Sequence, residues 1–61
     1  MIYENIKTLC ESKGISINKL EDMAGIGNGT IGGWKTGHPS LRTLEKISKA
    51  LDVPIEELIR R

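Results

Sequence analysis

Apolar residues recur at spacings of three and four along the whole chain and no segment alternates with period two, so the pattern predicts helices only. Ile2, Ile6, Leu9 and Cys10 make one stripe of a first helix that runs to about Lys13. Gly14 is placed to end it in the left-handed conformation, with Ile15 folding back onto the last turn. Ser16 is an N-cap residue for a second helix, about residues 17–24, with Ile17, Leu20, Met23 and Ala24 as its buried stripe and Gly25 as its stop. Beyond Pro39, Ser40 can cap a helix carrying Leu41, Leu44, Ile47 and Leu51, which Asp52-Val53-Pro54 breaks. Ile55, Leu58 and Ile59 then form a last short helix, with Glu56 and Glu57 early and Arg60 and Arg61 late, as the helix dipole favours.

Between the second helix and Pro39 lies GIGNGTIGGWKTG, which holds six of the seven glycines of a 61-residue chain. Its core, GNGTIG from Gly27 to Gly32, spells the G-x-G-x-x-G of dinucleotide-binding loops. That chemistry needs a strand before the glycines and a parallel sheet around them. Here a helix, NKLEDMAG, precedes them, and the chain is too short for such a domain. Asn28-Gly29 is a hairpin-turn pair without flanking strands. The remaining reading is a helix from Asn28 to Thr36 with Gly27 as N-cap, Ile26 and Ile31 as a hydrophobic staple, and Gly37 as its stop. Ile31 and Trp34, three apart, form its buried face. Gly29, Gly32 and Gly33 each weaken such a helix by about 1 kcal/mol relative to alanine, so tertiary packing must hold it.

Composition narrows the function classes. At 38% hydrophobic and 28% charged, the chain is expected to form one small ordered domain over residues 1–61. Cys10 and His38 are the sole residues of their types, which excludes an internal disulfide and a His/Cys zinc site. No cofactor is expected. Cys10 reads as a small buried apolar residue and His38 as an exposed loop residue, while Glu21-Asp22 and Glu56-Glu57 are adjacent pairs that point to different sides of their helices. With no serine, histidine and acid arrangement, an enzyme is not expected. No apolar run approaches the roughly 20 residues of a membrane helix, and a soluble, cytoplasmic protein is the expectation.

Two helices joined through Gly25-Ile26-Gly27 match the helix-turn-helix unit, whose short turn often contains glycine. At this point the sequence resembles the phage repressor and Cro-like (XRE) family of helix-turn-helix DNA-binding domains. The resemblance is carried by GISINKLEDMAGIGNGTIGGWKTG and then HPSLRTLEKISKALDVPIEEL, with Leu20, Ala24, Gly25, Ile31, Trp34, Gly37, Pro39 and Leu44 to Leu51 as landmarks. It implies an all-α, lambda-repressor-like compact bundle of five helices whose third, Asn28 to Thr36, is the recognition helix in the major groove.

The resemblance further implies a sequence-specific, repressor-like transcriptional regulator that binds double-stranded DNA as a homodimer on a two-fold operator. Exposed positions of the recognition helix are then Asn28, Gly29, Thr30, Gly32, Gly33 and Lys35. Asn28 can pair with adenine, Thr30 can touch a thymine methyl or a phosphate, and Lys35 can neutralise phosphate. Asn28 reads equally as a simple helix-start residue. Family members also contact the DNA backbone from the start of the second helix and the loop after the third, which points to Ser16 and Asn18 and to Thr36, His38, Ser40 and Arg42. Ile17 stands where the family commonly has a DNA-contacting glutamine, and the glycines stand where relatives carry polar or basic side chains. Few groups therefore remain to read bases, which keeps open a second reading: a protein-interaction module on the same scaffold, such as an antitoxin or antirepressor.

Charge is consistent with either. The formal total is only +1, yet residues 25–49 carry Lys35, Arg42, Lys46 and Lys49 against Glu45, a local +3, while the segments on both sides sum to −1 each. Phosphate contact needs positive charge there, and a solvated helix face has it too.

Overall fold

The computed structural model describes residues 2–60. Its elements are α1 (Ile2–Lys13), α2 (Ile17–Ala24), a 3₁₀ helix (Ile31–Lys35), α3 (Leu41–Leu51) and α4 (Ile55–Ile59), with no strand among the described residues. Helix α2 packs on α3, while α1 packs on α4 and on the 3₁₀ helix. The shared core is Ile6, Cys10, Leu20, Ile31, Leu44, Ile47, Leu51 and Leu58. The late charge expected at Arg61 lies outside the described residues.

The helix stops are built as the sequence predicts. Gly14 (φ 70°) and Gly25 (φ 71°) are left-handed, and the next residue's N–H reaches back to the last turn, Ile15 to Cys10 O at 3.0 Å and Ile26 to Glu21 O at 3.0 Å. Asp52 does the same at the end of α3 with φ 57°, although it is not glycine, and Val53 N–H donates to Ser48 O. At the helix starts, Ser16 Oγ accepts from Lys19 N–H at 3.0 Å and Ser40 Oγ from Thr43 N–H at 3.3 Å. Asn5 adds a tie that periodicity does not reveal. Its Nδ2 donates to the carbonyls of Leu58 and Arg60, fastening α1 to the open end of α4.

The expected five α-helices are four among the described residues, because Asn28–Thr36 is not an α-helix. Residues 28–30 form a turn closed by Thr30 N–H to Gly27 O at 3.2 Å, so Gly27 is not the cap of a helix starting at Asn28. Gly29, at φ 89°, lies outside right-handed helical space and delays the helix to Ile31. From there Gly33 N–H is shared between Thr30 O at 3.2 Å and Gly29 O at 3.3 Å, the mixed bonding of a tight terminal turn. Two further glycines, Gly32 and Gly33, add no side chain that favours widening it into an α-helix.

Four positions on the apolar stripes also differ. On α2, Ile17, Leu20, residue 21 and Ala24 follow i, i+3, i+4 and i+7, whereas Met23 sits about 120° from Ile17 around the helix. The buried residues of α2 are accordingly Leu20 and Glu21, and Met23 is exposed. Leu41, at the edge of the α3 stripe, is 65% exposed, and Ile59 is also exposed. Ile31 is fully buried as expected, with Ile26 packed against the same core, but Trp34 is half-buried.

Candidate nucleic-acid interface

The centre of the helix-turn-helix is a carboxylate. Glu21 is completely buried, and both its oxygens are occupied. Gly29 N–H donates to Oε1 and Oε2 at 3.1 Å each, and Ile31 N–H donates to Oε2 at 3.0 Å. The 3₁₀ helix has no side-chain cap of its own at Thr30. Its start is capped from α2 instead, by an acidic group at the end where amide N–H groups concentrate positive charge. Among the described residues no buried side-chain nitrogen or oxygen is left without a hydrogen-bond partner.

Around this clamp the chain changes sides abruptly. Ile31 points into the core, while Asn28, Gly29, Thr30, Gly32, Gly33, Lys35, Thr36 and His38 are exposed. Ser16, Asn18, Ser40 and Arg42 are exposed as well. The structure thus leaves all twelve sequence-derived candidates on the surface. Two hydroxyls among them are already engaged, Ser16 and Ser40 as helix caps, the latter also paired with Thr43 Oγ1 at 3.1 Å. Lys35 is oriented too: its Nζ lies 5.3 Å from the centre of the Tyr3 ring, a cation–π contact that ties the 3₁₀ helix to α1. Trp34 and His38 line one surface groove of about 440 Å³ with Ile2 and Glu4 of α1.

Glu21 was not among the candidates. Its signal was present in the spacing, since it occupies the i+4 position of the stripe begun by Ile17, but an acidic residue there reads as solvent-facing unless its hydrogen-bond partners are known. Those partners are backbone groups eight and ten residues away. Among the described residues, no group of three or more His, Cys, Asp or Glu side chains could hold a metal, and no helix is long and apolar enough to cross a membrane.

A helix stopped by a left-handed glycine, a short turn, and a second helical segment seated on the first by a buried residue define a helix-turn-helix protein. The family described as HTH_3, Helix-turn-helix, matches residues 6–58, and the chain belongs to this XRE-type family. Its domain is a DNA-binding regulatory one and not a catalytic one. No curated protein and no solved structure matches the chain.

Proposed function

We propose that this chain is a sequence-specific, repressor-like transcriptional regulator that lays the segment from Asn28 to Thr36 in the major groove. The observation that carries this reading is the exposed run Asn28-Gly29-Thr30 with Gly32-Gly33, held on a segment whose anchor, Ile31, is fully buried. A major groove about 12 Å wide admits a single helical segment, and Ile31–Lys35 presents its exposed glycines and Lys35 on one such segment. With three glycines on the approach, the backbone can come close to the base edges. Asn28 and Thr30 are the groups available to read them, Asn28 by a bidentate pair with adenine. Lys35, Thr36, His38, Arg42 and the start of α2 at Ser16 and Asn18 serve the phosphates, and two copies bind a two-fold operator.

The scarcity of base-reading side chains favours, as a second reading, an interaction module for another protein. Selection of bound sequences from random DNA decides between the two, with affinity for the selected and random duplexes measured at one salt concentration. A recovered site bound at least tenfold more tightly than random DNA supports the regulator. Recovery of no preferred sequence, with capture of a protein partner, overturns it.

A further inference from the structure

Resting on the major-groove reading above, we infer that Glu21 is a positioning residue for DNA recognition, one that sets the base-reading turn Asn28-Gly29-Thr30 without touching DNA. The turn has few other restraints. Gly29 sits at φ 89°, a conformation open to glycine but reached by no regular element, and the turn's backbone bonds are Thr30 N–H to Gly27 O and the Gly33 N–H shared between the Gly29 and Thr30 carbonyls. Glu21 grips the residue immediately after Asn28 with both oxygens and the residue immediately after Thr30 with one. Both proposed readers are thereby fixed through their neighbours, from a rigid α-helix behind them.

The same bonds withdraw the Gly29 and Ile31 N–H groups from DNA. With the Thr30 N–H bonded to Gly27 O, three successive amides are engaged inside the protein, and contacts made there by the Asn28 and Thr30 side chains carry sequence information that amide-to-phosphate bonds would lack. Truncating or neutralising Glu21 should loosen reading while leaving the cationic contacts at Lys35 and Arg42 in place.

The test is Glu21→Gln, which keeps the size of the side chain but faces an NH₂ group toward a backbone N–H that needs an acceptor. It is made in the parent, in Asn28→Ala, and in an Asp52→Gly background, which lies outside the proposed interface and is chosen for its added stability. Each protein is titrated, at temperatures where circular dichroism shows it folded, with the duplex selected by the parent and with random duplex across a salt series. The expected result is a loss of about tenfold on the selected duplex, under twofold on random DNA, an unchanged salt slope, and less than threefold further loss when Asn28 is already alanine. In the amide NMR spectrum Gly29 and Ile31 should lose hydrogen-exchange protection ahead of the rest of the domain.

A folded variant that keeps the selected-to-random ratio overturns the inference, as does an equal loss on both duplexes. A variant unfolded in both backgrounds assigns Glu21 to the fold alone and overturns it too. If the parent itself prefers no sequence, the functional reading fails first and this inference falls with it.

Discussion

Alanine substitutions within one glycine-rich stretch should change stability in opposite directions, and the structure says which way each goes. At Gly32 and Gly33 an added Cβ meets nothing within 4 Å, and neither residue has positive φ. Both lie in the 3₁₀ helix. Alanine there restricts the unfolded chain and favours helical backbone, which contributes about 0.5–1 kcal/mol per site. At Gly29 an added Cβ also has open space, but φ is 89°. The objection is therefore conformational and not steric, and Gly29→Ala should cost about 1–2 kcal/mol. It leaves the Gly29 N–H in place, so the bonds to Glu21 are not removed by the substitution itself.

For a domain of this size, 1 kcal/mol moves the thermal midpoint by about 4–8 °C, and the urea slope is about 1 kcal/mol/M. Urea midpoints should therefore rise by about 0.5–1 M for Gly32→Ala and for Gly33→Ala, and fall by about 1–2 M for Gly29→Ala. Equilibrium unfolding followed by circular dichroism at 222 nm reads all three, and the first two variants should also gain helical signal. A fall in midpoint for both Gly32→Ala and Gly33→Ala would refute the helical seating of residues 31–35. A Gly29→Ala variant as stable as the parent would refute the left-handed turn.

Three further outcomes can be measured. Asp52→Gly should raise stability by about 0.5–1 kcal/mol in thermal unfolding, because Asp52 ends α3 at φ 57° and glycine takes that conformation without strain. Burial, and secondarily the charge of Glu11, raise the Cys10 thiol pKa above its ordinary value, so the folded state holds that proton to higher pH than the unfolded chain does. The Cys10 contribution is then complete below the unfolded thiol pKa of about 8.5 and shrinks as pH rises above it, and under reducing conditions the stability gap to Cys10→Ala should narrow from about pH 8.5 upward; a gap that stays constant above that pH refutes this. In DNA titrations Asn28→Ala should cost about 1–3 kcal/mol on the selected duplex alone, whereas Lys35→Ala or Arg42→Ala should weaken selected and random DNA together and flatten the log K against log salt slope by about one unit.

Much of this fold was legible because its stops and caps are local. Gly14, Gly25, Ser16 and Ser40 act on neighbours within a few residues, and each appears where the spacing places it. What was not legible depends on groups distant in sequence. Asn5 closes α4 from 53 residues away. Glu21 seats a turn eight residues on, and an acidic side chain in an apolar stripe is visible as a pattern but has no meaning until its amide partners are located. Residues 28–36 depart from the expected α-helix for a related reason. The apolar pair Ile31 and Trp34, three apart, fits an α-helix and a 3₁₀ helix equally, and what separates them is the φ of Gly29 and the Gly33 N–H shared between Thr30 O and Gly29 O. The twelve candidate DNA residues came from resemblance and not from spacing, and exposure is what the structure adds to them.

The glycines and the buried carboxylate make sense together. A segment with glycine at positions 29, 32 and 33 gains little from helix propensity and would, left to itself, sample many conformations. Ile31 fixes where the segment sits, by burial, but a single apolar anchor does not fix the path of the backbone before it. Three hydrogen bonds to a charged acceptor do, because each is directional and a buried carboxylate left short of donors is strongly disfavoured. The flexible composition and the rigid clamp are then complementary: small residues let the segment approach a surface closely, and Glu21 holds the approaching backbone in one conformation. An aliphatic residue at position 21 would keep the α2 stripe intact and still leave the amides of Gly29 and Ile31 without this acceptor.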